Sequence, residues 1–325
     1  MERSMEDHVV QEMATPETMD SQNFKEKSLD FMEKLLEQGA DDSTVVRNLA
    51  GLDDARAWKI RGEFLETGGN VHHVLSGLAG LDSEKSWETR MHFLKQKKYE
   101  SSILLSLTGL DSKEAWDIRE TVLEEAGKDH KSALAISLTG NDSPEAWKMR
   151  SKLLKEGFKE SVAESLAGID SALAWKMRER FIDEGLGALV ARTLAGLDSK
   201  EAWDMRKKLG TEDDSWVIEG LAGVDSPRAW DMRSLAIEEN RNMDYVAKSL
   251  AGLDSDRAWE MRSLLFEKEI SKNALRVVDK KKVKSKEESL EVESSQDVLA
   301  QGVYGNYLMA GVRKALKDKI EQNGQ

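Results

Sequence analysis

The feature that most constrains this chain is a Trp-x-x-Arg pair that recurs eight times. The Trp residues are 27 to 31 positions apart, an Asp lies five residues before each of them, and a Gly lies seven before. Self-similarity at such a period is typical of repeat proteins, in which each unit buries its apolar face against its neighbours. The signature residues are Trp58, Arg61, Trp87, Arg90, Trp116, Arg119, Trp147, Arg150, Trp175, Arg178, Trp203, Arg206, Trp230, Arg233, Trp259 and Arg262, with Asp53, Asp82, Asp111, Asp142, Asp170, Asp198, Asp225 and Asp254.

Each repeat is predicted to contain two helices. In the first, counted back from the signature Gly, apolar residues recur at positions −2, −5 and −6, which is a helical stripe. The Gly is expected to end this helix, because it adopts the left-handed conformation without a Cβ penalty. Pro144 and Pro227 favour the first position of a second helix. Ser143 and Ser226 are therefore the predicted N-caps, although the preceding Asp could cap other copies.

The pattern predicts an all-α fold: a solenoid of eight two-helix repeats of about 29 residues, with half-repeat caps, over residues 23–279. Residues 29–39 align with a second helix and residues 271–279 with a first helix, as caps. At about 10 Å per unit, eight repeats would span about 80 Å. Residues 1–22 and the charged stretch 280–297 are predicted to be disordered. Residues 298–325 are predicted to hold one amphipathic helix, which could dock on the repeats or on a partner.

The paired helices resemble the α-solenoid class that includes HEAT, armadillo and tetratricopeptide arrays. The resemblance covers residues 23–279 at the level of helix pairs, because the period is shorter and the tetratricopeptide pattern of Trp, Leu-Gly, Tyr and Pro is absent. It implies an extended surface for a partner.

A helical projection places the signature Arg inside the apolar arc of the second helix and the Trp at its edge. A buried cation needs partners. We expect an ion pair with the Asp of an adjacent repeat, together with hydrogen bonds to free carbonyls at a neighbouring Gly turn. The alternatives are an arginine ladder for phosphates and a Trp ladder for sugars or bases. Structural packing is the favoured role for both residues.

The first helix has positions −4 and −7 off its apolar stripe, and these positions vary from copy to copy. A varied polar and apolar string suits a peptide or protein partner, whereas tolerated surface variation is the alternative. Trp216 could instead fill a gap, because its repeat is short and the preceding second helix is expected to stop at Gly210. The candidate partner-binding residues are His73, Leu105, Ile136, Leu189, Trp216 and Tyr245.

Composition and motifs narrow the function. The net charge is −13 and there is no Cys. No catalytic motif is present, so we expect no enzyme activity, no cofactor and no metal. No apolar stretch is long enough to span a membrane, and the acidic N-terminus is unlike a secretory signal, so the expected location is cytoplasmic.

The predicted function is a protein–protein interaction scaffold. The alternative is a modular nucleic-acid reader with one unit per base. Its local support is a basic cluster, although the overall negative charge opposes backbone binding. The cluster consists of Arg276, Lys280, Lys281, Lys282, Lys284 and Lys286.

Overall fold

The structure, a computed structural model, describes residues 22–125, 128–210, 214–239 and 241–267, together with Met309 and Val312. Over these residues it is all-α and contains no strand. After α1 (Gln22–Glu37), short and long helices alternate. The short helices are α2 (Asp42–Arg47), α4 (Val71–Ser76), α6 (Glu100–Ser106), α8 (Lys128–Ile136), α10 (Lys159–Glu164), α12 (Gly187–Arg192), α14 (Asp214–Glu219) and α16 (Met243–Ser249). The long helices are α3 (Ala55–Glu66), α5 (Glu84–Leu94), α7 (Lys113–Glu125), α9 (Pro144–Lys155), α11 (Ala172–Asp183), α13 (Lys200–Leu209), α15 (Pro227–Glu238) and α17 (256–267).

The turn after each short helix depends on the signature Gly. All eight of these glycines have positive φ, between 73° and 84°, a region that residues with a Cβ rarely adopt. The next helix then begins as the sequence predicted. Ser143 accepts a hydrogen bond from the Ala146 N–H, and Pro144 is the first helical residue. Ser226 also occupies the N-cap position, but its hydroxyl donates to Asp198 of the preceding repeat at 3.1 Å.

The short helices form the innermost layer of the packing. From α4 to α14, each short helix contacts the short helix before it and the one after it. Each long helix from α3 to α15 packs against the adjacent short helix in sequence on at least one side. The apolar positions −2, −5 and −6 supply this core. In the first repeat they are Leu49, Val46 and Val45, which are all fully buried. The core therefore runs from repeat to repeat, because one short helix has too little apolar surface to fold alone.

The first and last described helices pack against each other. Phe24 and Phe31 of α1 contact the Trp259 ring, with centroids 6.2 and 6.3 Å apart, and Phe31 also contacts Phe266 at 5.7 Å. On its other side, α1 packs against α2. The sequence predicted an array that spans about 80 Å, with a half-repeat cap at each end. A straight array of that span would keep its ends apart, whereas the structure brings α1 and α17 into contact, because α1 has apolar side chains for both neighbours.

Two residues of the C-terminal segment also pack against the repeats. Met309 and Val312 are buried in a cluster with alanines that directly precede the signature Gly in the last four repeats. These alanines are Ala167, Ala195, Ala222 and Ala251. Whether this segment docks on the repeats was open from sequence, and the structure places these two residues there. The predicted disordered N-terminus up to residue 21, the linker 280–297 and the cap 271–279 lie outside the described residues.

Candidate interaction surface

The signature Arg side chains form the interior of the molecule. All eight are at most 2% exposed. Arg90 shows the full set of bonds: Nη1 and Nη2 donate to the Leu81 and Leu78 carbonyls of its own repeat, and Nη2 also donates to the Ser106 carbonyl of the next one. Nε donates to Ser106 Oγ, and Nη1 also donates to Ser86 Oγ. One guanidinium therefore satisfies carbonyls at the ends of two neighbouring short helices, which otherwise lack helical partners.

The signature Asp has a different partner from the one the sequence suggested. From Arg61 to Arg233, the signature Arg residues form no ion pair within the described residues, and their bonds go to carbonyls and hydroxyls. The carboxylate instead accepts from the indole N–H of its own repeat, as in Trp147 to Asp142 at 2.6 Å. Asp142 also accepts from Ser171 Oγ of the next repeat at 3.0 Å. The expected inter-repeat link from Asp thus exists, but it runs to Ser rather than to Arg.

The electrostatic role of the Asp is visible in the Arg pKa. Burial lowers the pKa of Arg178 to about 9, and the negative charges of Asp170 and Asp142 act against this shift. The group remains protonated at neutral pH. Its cation also lies over the face of Trp175, with Cζ 4.6 Å from the ring centroid. The ring, the carbonyls and the nearby carboxylates together replace the water that the guanidinium loses.

The candidate partner-binding residues all lie on the short helices. His73, Leu105, Ile136, Leu189, Trp216 and Tyr245 are each half-buried. Because successive short helices contact one another, these six residues lie on a series of adjacent helices. Trp216 and Tyr245 make an edge-to-face contact with centroids 5.3 Å apart. The structure therefore brings the last two candidates into direct contact.

Charged residues at position −4 extend the same surface. Arg192 Nη2 lies 3.9 Å from Glu164, and its Nε lies 3.4 Å from Glu219. The three residues come from three successive repeats. Arg192 also lies 5.8 Å from the Trp216 ring centroid. Sequence reasoning had placed these residues on the variable face but had not identified the interactions between them, because each involves residues about 28 positions apart.

Burial perturbs two titratable groups on this surface. It raises the pKa of the Glu164 carboxyl, while the positive charge of Arg192 acts against that shift. It lowers the pKa of His73, and the positive charge of Arg47 adds to this effect. His73 is therefore mainly neutral at pH 7 and contributes a half-buried, uncharged side chain to this surface.

Sequence reasoning missed two Ser–His contacts between repeats. His72 Nδ1 lies 2.6 Å from Ser102 Oγ, and His130 Nδ1 lies 2.8 Å from Ser101 Oγ. His72 also packs edge-to-face on Tyr99, with centroids 5.1 Å apart. Within the described residues no group of three His, Asp or Glu side chains is arranged to hold a metal ion. These contacts join the second, third and fourth repeats.

The comparisons with known proteins give no name to this surface. No protein family, curated protein or solved structure matches the chain. Among the helices that the structure describes, none is long and apolar enough to cross a membrane. The case for a function therefore depends on the geometry of the chain itself.

Proposed function

We propose that this protein is a protein-interaction scaffold built from eight two-helix repeats that close into a ring. The closure is supported by two lysines, Lys27 and Lys85, that occupy equivalent positions in the repeat pattern. Lys27 lies two residues before Leu29, the α1 residue aligned with the Trp position, and it lies over the Trp259 ring. Lys85 lies two residues before Trp87 and covers Trp58 in the same way. In this arrangement α1 packs against α17 in the way that the long helix of a next repeat would.

The observation that carries the scaffold function is the continuous surface formed by the short helices. Its candidate residues differ in type from repeat to repeat and are half-buried rather than covered, and Trp216 and Tyr245 contact each other between neighbouring repeats. A surface with aromatic side chains beside paired charges is typical of protein interfaces, in which Trp, Tyr and Arg are enriched. The repeats provide a rigid support for it.

The test compares what the intact protein retains from a cell extract with what surface variants retain. Leu189→Asp and Tyr245→Asp are expected to lose a specific set of bound proteins, because each places a charge in the half-buried surface. The matched control is Glu179→Lys, an exposed position on the long helix α11. Retention of the same proteins by all variants would contradict the proposal.

The alternative, a nucleic-acid reader, rests on the basic cluster between Arg276 and Lys286, which lies outside the described residues. Filter binding to mixed RNA and DNA at low salt separates the two functions. The scaffold proposal expects no retention of nucleic acid by the intact protein. Strong binding that decreases steeply with salt would favour the alternative.

A further inference from the structure

The two faces of each signature Trp are covered differently. One face always carries the Arg of its own repeat, with Cζ 4.3 to 4.8 Å from the ring centroid. In four repeats the second face carries a cation from the helix that follows in the ring. These cations are Lys85 over Trp58 at 4.6 Å, Arg228 over Trp203 at 4.7 Å, Arg257 over Trp230 at 4.9 Å and Lys27 over Trp259 at 5.8 Å.

The other four repeats are consecutive and lack this cation. The equivalent sequence position, two residues before the next Trp, is occupied by Glu114, Glu145 and Glu201 after Trp87, Trp116 and Trp175, and by Leu173 after Trp147. The four residues at this position are exposed. Within the described residues no other cation lies over the second face of these four rings.

A second Arg covers a Trp ring more fully than a Lys does. Trp203 and Trp230, each covered by Arg on both faces, are 9% and 4% exposed. Trp58 and Trp259, whose second cation is a Lys, are half-buried, as are Trp87, Trp116, Trp147 and Trp175, which have no second cation among the described residues. The second faces of these last four rings are accessible to a cation from outside the chain. An indole face beside a carboxylate attracts a cation both through the ring quadrupole and through charge.

We propose that the open faces of Trp87, Trp116 and Trp175 form a row of sites for the Lys or Arg side chains of a basic protein segment. The same position holds a cation from this chain in four other repeats, so the space beside the ring can hold a Lys or Arg side chain. The Asp82 carboxylate, which accepts from Trp87 Nε1 at 2.6 Å, adds negative charge at the edge of the first site. Leu173 offers an apolar contact between the second and third sites.

The charge of the whole molecule suits this partner. A net charge of −13 attracts a basic segment and increases its rate of encounter. The inference deepens the proposed scaffold function, on which it rests, by naming the chemistry of a partner. It uses the long helices rather than the short-helix surface, so the two surfaces are tested by different variants.

The experiment measures binding of an octa-arginine peptide to the full-length protein at low salt, by titration calorimetry and Trp fluorescence. The triple variant Glu114→Arg, Glu145→Arg and Glu201→Arg fills each site with a cation of the chain itself, as Arg228 does for Trp203. Its affinity is expected to fall by more than about tenfold, because three cation sites are lost together.

The matched control makes the same change in net charge at exposed positions of long helices that carry none of the three sites: Glu66→Arg, Glu238→Arg and Glu260→Arg. It is expected to keep most of the affinity. An equal loss in the control would show that general charge attraction explains the binding, and no loss in either variant would show that the Trp faces are not used. Both results overturn the proposal.

The reverse change gives a second test that does not depend on the triple variant folding. Arg228→Glu should open a fourth site on Trp203 and increase the affinity about two- to threefold. Unchanged or weaker binding would contradict the inference. Leu189→Asp and Tyr245→Asp should leave peptide binding intact, so failure of the short-helix surface is distinguishable from failure of these sites.

Discussion

At the scale of single residues, the signature Arg joins the repeats through geometry that only a guanidinium has. Arg178 donates to the Leu166 and Ile169 carbonyls of one repeat and to the Thr193 carbonyl of the next. Its planar fork reaches all three at once, whereas a Lys ammonium is a single point of donation. The Arg therefore fixes the spacing of two short helices as well as filling the space between them.

This geometry predicts that Arg178→Lys destabilises the protein strongly. At least two buried carbonyls would lose their donors, and the expected loss is about 3–5 kcal/mol in the free energy of unfolding. Denaturant unfolding followed by circular dichroism measures it. The control is Arg180→Lys, because the exposed pair of Arg180 with Glu184 should contribute less than about 1 kcal/mol. Similar stability for both variants would show that the carbonyl bonds are unimportant.

Glu164 provides a prediction of pH dependence. Because burial raises its pKa, the charged form costs stability at neutral pH, and the folded protein takes up a proton before the unfolded chain as the pH falls. Glu164→Gln should therefore unfold at a slightly higher urea concentration than the parent at pH 7. This advantage should shrink as the pH falls through the raised pKa. A difference independent of pH would instead show that the pKa of Glu164 is the same in the folded and the unfolded protein.

At the scale of helices, the C-terminal segment is part of the packing around Met309 and Val312. A charged, disordered linker alone would predict that deletion of residues 280–325 leaves the melting of the repeats unchanged. The burial of these two side chains against the alanines of four repeats changes that expectation. Their removal exposes apolar surface on both sides of the contact.

Val312→Asp is accordingly expected to lower the melting temperature of the full-length protein. A fully buried aliphatic side chain contributes about 1.5–3 kcal/mol, and a carboxylate at that position also loses its water. Scanning calorimetry measures the change, with Val312→Leu as the control that keeps an apolar group. If Val312→Asp melts like the parent protein, the contact does not stabilise the repeats.

At the scale of the whole molecule, the proposed ring makes the two ends of the array neighbours. An open solenoid frays from its ends, whereas a closed one must first break the contact between α1 and α17. Phe24 and Phe31 against Trp259 form that contact. The stability of every repeat then depends on one junction formed by residues more than 200 positions apart in sequence.

Energy transfer between two labels tests the closure directly, and the absence of Cys in the chain makes the labelling specific. Labels at Glu26→Cys and Ser263→Cys, both exposed, should show high transfer. The pair Glu26→Cys and Glu145→Cys, on the proposed opposite side, should show less. Phe31→Ala in the first labelled pair is expected to reduce transfer by loosening the junction. Low transfer in the unmodified pair would mean that the ends are separate.

The sequence by itself determined the local structure of each repeat, because its causes act over a few residues. A Gly that takes positive φ, a Ser or Asp at the helix start and apolar residues at helical spacing each leave a recognisable pattern. Projection of the second helix placed the signature Arg in the interior. The apolar stripe of the first helix placed the six candidate partner residues on its variable face. These expectations concern which side of a helix a residue occupies, and helical periodicity contains that information.

Only the tertiary structure decided the partners. The acceptors of the Arg are mainly backbone carbonyls, which every residue has, so no residue type in the sequence marks them. The Asp could have paired with Arg or Trp, and the choice follows from where the neighbouring repeat places its Ser and its carbonyls. The contact of α1 with α17 depends on the small rotation between successive repeats, which accumulates over the array. This rotation cannot be inferred from the sequence of a single repeat.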